Sequence, residues 1–106
     1  DMSLLKQQLD AFIAARYPEG SKVQDLTEAD GHAGLTFRFQ VADPSGAVAE
    51  ELFLKVPPKG VKRRQNTDVY RQAPLLRALK KSGIPVPEVR WAGDDEDWFD
   101  VPYIIT

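Results

Sequence analysis

Over residues 3–16, SLLKQQLDAFIAAR, the side chains Leu5, Leu9, Phe12, Ile13 and Arg16 recur at helical spacing. That period predicts an amphipathic helix with Ser3 as its N-cap and Pro18 and Gly20 as its stop. Residues 22–29, KVQDLTEA, carry a weak strand pattern, and DGHAG at 30–34 reads as a turn. From Leu35 to Ala42 the period becomes two. Leu35, Phe37, Phe39 and Val41 fall on one side, and Thr36, Arg38 and Gln40 on the other, as in a half-buried strand. DPSG at 43–46 is turn chemistry, with proline second and glycine last. It predicts a hairpin into a strand over 48–56.

Residues 57–66 read as a loop, basic at Lys59, Lys62, Arg63 and Arg64. Leu75, Leu76 and Leu79 predict a helix over 67–81, capped by Thr67 and ended by Gly83. Pro74 either kinks that helix or marks a start near Ala73. IPVPEVRWAG is an extended entry into a strand near 88–92, DDED at 94–97 is an acidic turn, and VPYIIT is a final strand. The order is helix, three strands, helix, two strands. It predicts an α+β fold: an antiparallel sheet of about five strands, an N-terminal helix, and a second helix between strands three and four.

A length of 106 residues suits one domain over 1–106, and 42% hydrophobic content supports a small core. The net charge of −2 gives no global argument for a nucleic-acid or membrane partner. The apolar runs are too short for a spanning helix, and no charged-then-apolar leader is visible. With no cysteine, disulfides and thiolate zinc sites are excluded. A cytoplasmic protein is the expectation.

Lys55 is the first candidate for chemistry. It ends the apolar strand ELFLKV and shares a face with Phe53. A lysine late on a strand, two residues after an aromatic ring, suits a nucleotide: the ring covers the base and the ammonium pairs with phosphates. On spacing alone, a strand-end lysine in water is the commoner state. In DGHAGLTF, Gly31 and Gly34 accept positive φ and so let backbone N–H groups approach an anion, although such a turn is usually only a turn. His32 is the sole histidine and reads as an exposed turn residue. The acidic run 94–97 and the basic run 59–64 read as solvated loops.

In order, GHAGLTFRF, LFLK, DVYRQAPLLRAL, GIPVPEV and VPYIIT resemble the N-terminal lobe of the aminoglycoside-phosphotransferase-like kinase superfamily, over nearly the whole chain. The most specific piece is IPVPEV behind a Leu-rich helix. The resemblance implies a kinase-like nucleotide-binding lobe of an enzyme that transfers the ATP γ-phosphate to a hydroxyl of a small molecule. It puts Lys55 at the phosphates and Phe53 against adenine. Gly31, His32, Ala33 and Gly34 fall on the phosphate-covering loop, where members often have Ser-Asn in place of Ala33-Gly34. Thr106 falls near the residue preceding the adenine-binding hinge.

Gln72 stands where the family has a glutamate paired with the lysine, so the partner of Lys55 is uncharged. Glu51 lies about 13 Å away along an extended strand and is too far to replace it. The resemblance further implies that the catalytic aspartate, the Mg²⁺ ligands and the acceptor pocket belong to a C-terminal lobe. No catalytic residue and no metal ligand is therefore expected in this chain. An isolated lobe is expected to self-associate. Two alternatives stay open: an inactive kinase-like binding or regulatory module, and an unrelated α+β interaction domain.

Overall fold

A computed structural model describes residues 2–29, 35–57, 72–93 and 98–106. The elements are α1 (Met2–Ala14), β1 (Lys22–Ala29), β2 (Leu35–Ala42), β3 (Val48–Val56), α2 (Gln72–Lys81), β4 (Trp91–Gly93) and β5 (Tyr103–Ile105). The fold is α+β, with one five-stranded antiparallel sheet in the order β1-β2-β3-β5-β4. β5 thus returns to lie between β3 and β4, so the β3–β5 pairing is not a hairpin.

The apolar stripe of α1 buries Leu9, Phe12 and Ile13. Ser3 lies inside the helix instead of capping it, and the helix ends at Ala14, ahead of the expected Arg16. Arg16 turns back, donates to the Phe12 carbonyl at 3.3 Å and sets its guanidinium 3.6 Å from the centre of the Phe12 ring. Phe12 is the hub of an aromatic cluster with Trp91, Trp98, Phe99 and Tyr103, at centroid distances of 5.3–5.5 Å.

β2 and β3 alternate as their sequences predict. Phe37 is opposite Leu54 and Phe39 opposite Leu52, and with Val41 and Val56 they lie in the core beneath α1. Their hairpin is held by Asp43, whose carboxylate accepts from the Ser45 amide at 2.9 Å and the Ala47 amide at 3.2 Å. The Ser45 contacts and the neighbouring backbone N–H groups hold that carboxyl below its usual range. β1 buries only Val23. Its register slips between Gln24 and Thr27, where Asp25 takes φ 54°. Aspartate visits the left-handed region more readily than most residues, which suits a bulge.

Among the described residues, the opposite face of the sheet has the smaller core. Ala73, Val89 and Ile104 form a small cluster there, with Leu76 and Ala92 packed against it. Pro74 is the third residue of the described helix. The expected stretch 67–71 lies outside the described residues. α2 ends in a Schellman motif: the Ile84 amide reaches the Leu79 carbonyl at 3.0 Å, and Gly83 supplies φ 85°.

The strand expected over 88–92 is β4 at Trp91–Gly93, because Pro85 and Pro87 offer no N–H to a ladder. Its pairing begins just earlier, with the Arg90 amide donating to the Ile105 carbonyl at 2.8 Å. Gly93 is opposite Tyr103, and the ring lies directly over it: a Cβ at Gly93 would be 2.5 Å from a ring carbon.

Candidate functional site

The period of two on β3 that buries Leu52, Leu54 and Val56 turns Glu51, Phe53 and Lys55 to the other face. The register fixes their neighbours. Lys55 lies between Thr36 of β2 and Ile104 of β5. Phe53 exchanges both backbone hydrogen bonds with Thr106, at 2.9 and 3.0 Å. This face opens into a cleft of about 660 Å³, lined by Thr36, Glu51, Phe53, Lys55, Gln72, Leu76, Pro87, Glu88, Ile104 and Thr106. The volume lies within the range of small-molecule sites.

Four of the eight candidate residues meet here: Phe53, Lys55, Gln72 and Thr106. α2 brings Gln72 to Lys55, whose ammonium donates to the amide oxygen at 3.3 Å. Lys55 is half-buried, and its described partner is neutral. The positive charge is therefore not cancelled by that partner and acts on whatever enters. Phe53 remains 38% exposed, with a ring surface open to the cleft. The amide and carbonyl of Thr106 already pair with Phe53, so Thr106 contributes chiefly its side chain. Gly31, His32, Ala33 and Gly34 lie outside the described residues, as do the basic run 59–64 and the acidic run 94–97.

Sequence reasoning did not place Thr36, Leu76, Pro87, Glu88 or Ile104 at the site, and it weighed Glu51 only as a partner for Lys55. Thr36 was within reach of the alternation in β2. Ile104 belongs to a strand buried at all three positions and has no alternation to read.

A second cavity, of about 300 Å³, opens on the α1 side. Leu5, Leu35, Phe37, Val56, Phe99 and Val101 are among its walls, and its polar rim includes Gln8, which donates to Asp100 at 3.2 Å. Among the described residues, its lining includes no candidate residue and no cationic side chain.

A separate polar cluster braces the sheet. Glu50 of β3 accepts hydrogen bonds from the Tyr17 hydroxyl and from Arg90. Burial, together with the hydrogen bond to the Glu50 carboxylate and its charge, pushes the Tyr17 phenol up to about 12, against a smaller opposing effect of Arg90. Burial alone would raise the Glu50 carboxyl, but the Arg90 and Tyr17 hydrogen bonds and the Arg90 charge outweigh it and hold it below its ordinary value.

No protein-family model and no curated protein matches the chain. Among the described residues no helix is long and apolar enough to cross a membrane, and no three of His, Asp and Glu come together as a metal-binding group.

Proposed function

We propose that this chain is the nucleotide-binding lobe of a phosphotransferase that moves the γ-phosphoryl group of ATP to a hydroxyl of a small molecule. One juxtaposition supports the reading. A lysine on the third strand is bonded to the helix that follows, in a cleft whose floor is an open aromatic ring. Kinases hold nucleotide phosphates with a third-strand lysine that a helix residue steadies.

In this reading Phe53 carries the adenine on its face and Lys55 takes phosphate oxygens. Leu76 and Ile104 supply apolar wall, and Gln72 orients the ammonium through its amide oxygen. Phosphoryl transfer depends mainly on position and electrostatics. The oxygen bridging the β- and γ-phosphates leaves with ADP, and the acceptor oxygen gains the phosphoryl group as its proton passes to a carboxylate. That carboxylate and the Mg²⁺ ligands are assigned to a C-terminal lobe, as the resemblance implies, and Mg²⁺ would neutralise charge on the phosphates. The enzyme is placed in the cytoplasm, where ATP is abundant.

The test is a titration of the chain with Mg-ATP followed by NMR. Shifts are expected at Phe53, Lys55, Gln72 and Ile104. The affinity should be millimolar, a standard free energy of about −4 kcal/mol, because one lobe covers only one side of the ligand. Lys55→Ala should abolish the shifts. Shifts confined to the α1 side, or unchanged by Lys55→Ala, would overturn the assignment. So would Mg-dependent ATP hydrolysis by this chain that disappears in Lys55→Ala, because no catalytic carboxylate is assigned to it.

The neutral partner of Lys55 favours a second reading, an inactive binding or regulatory module of the same fold. A charge-assisted bond is about twice as strong as a neutral one. For an enzyme that tolerates the weaker bond, Gln72→Glu should tighten ATP binding or raise turnover in the full-length protein. A folded Gln72→Glu protein that binds and turns over no better points to the module.

A further inference from the structure

Glu51, Phe53 and Lys55 stand in one row on β3, all lining the same cleft. Successive members are two residues apart, about 7 Å along an extended strand, so the row spans about 13 Å. Its chemistry is ordered: a carboxylate, an open aromatic ring, then an ammonium. A nucleotide laid along the strand has the same order of needs, from base edge to base face to polyphosphate.

We infer that Glu51 reads the amino edge of the base and makes the cleft selective for a nucleotide with an N–H donor there; this rests on the nucleotide reading above. Electrostatics fixes the direction of the ligand. Polyphosphate placed at the Glu51 end would meet like charge, whereas at Lys55 it meets the ammonium. Glu88 also lines the cleft. It precedes Arg90, whose amide bonds the Ile105 carbonyl, and the Ile104-to-Thr106 direction runs from Lys55 towards Phe53. Both carboxylates thus belong away from the ammonium.

A carboxylate offers only acceptors. The 6-amino group of adenine, stacked on Phe53, presents an N–H to it. A base with no donor on that edge leaves Glu51 facing a ring nitrogen that can only accept. A site built around a hydrogen bond rejects the analogue that lacks it. Glu51 is too far from Lys55 to be its ion partner, and the lysine bonds Gln72. Its carboxylate is therefore available to a ligand.

The experiment compares ATP with purine riboside triphosphate, in which hydrogen replaces the 6-amine, by NMR titration of the same chain. ATP should bind about three- to tenfold more tightly, the worth of one hydrogen bond. Glu51→Ala should bring the ratio to one by weakening ATP alone, and Glu51→Gln, which keeps an acceptor oxygen, should retain part of it. Glu51 is exposed, so these proteins are expected to keep the wild-type fold, which their spectra report directly. Equal affinities for the two nucleotides in the wild type overturn the inference and leave nucleotide binding intact. A preference that survives Glu51→Ala but is lost in Glu88→Ala overturns the assignment to Glu51. If neither nucleotide moves the Phe53 and Lys55 signals, both readings fall together.

Discussion

Gly93 has the sharpest steric constraint among the described glycines. Tyr103 is buried and its ring occupies the space above the glycine. Gly93→Ala forces the ring or the strand to move. Overpacking of this kind costs about 1–3 kcal/mol, which chemical denaturation will show as a lower midpoint. The brace of Tyr17, Glu50 and Arg90 sets a pH window. The Tyr17 phenol is raised from 10.0 to about 12, so between those values the unfolded chain has lost a proton that the folded chain keeps. Stability from this group is therefore full below pH 10 and declines as pH rises through about 12. Glu50 is shifted the other way. Its contribution is full above the ordinary value of 4.5 and is lost as pH falls through its lower folded value. Denaturation midpoints across pH should show both slopes, and Tyr17→Phe should remove the alkaline one.

α1 is fastened to the sheet through Phe12, which is fully buried and touches four aromatic neighbours. Phe12→Ala should cost about 3–5 kcal/mol, read by thermal or chemical unfolding. The elements differ in how plainly the sequence announced them. β2 and β3 were clear because each buries one face of a sheet, and burial writes a period of two. β1 was faint because it buries only Val23 and bends at Asp25. β4 and β5 are three residues each, too short to carry a period, so their boundaries came out too wide. The site was legible along a strand and hidden across the sheet. Phe53 and Lys55 share a face by spacing alone. Ile104 and Glu88 arrive from distant parts of the chain through pairings that spacing cannot reveal. Gln72 was located through its place in a resembling helix, and the Tyr17–Glu50–Arg90 brace left no local pattern at all.

Among the described residues, the two faces of the sheet are covered unequally. α1 belongs to a core cluster of thirteen buried residues, whereas the cluster beside α2 is Ala73, Val89 and Ile104. Leu75 is 60% exposed on α2, and Phe53 is open in the cleft. Exposed apolar surface promotes association. Sedimentation over a concentration series should show self-association approaching millimolar protein. A single monomer boundary throughout would count against an uncovered binding face. The strand order has a consequence for how the protein is made. On the ribosome, β1, β2 and β3 emerge in sequence and can pair at once. β4 emerges before β5, the strand it joins, and among the described strands the β3 edge is filled when Tyr103–Ile105 follow. Non-local pairings of this kind form slowly, and a bare edge is open to mispairing meanwhile. Ile104 and Thr106, which complete the cleft around Lys55, arrive with that strand, so a nascent chain halted before Tyr103 carries the lysine but not its pocket.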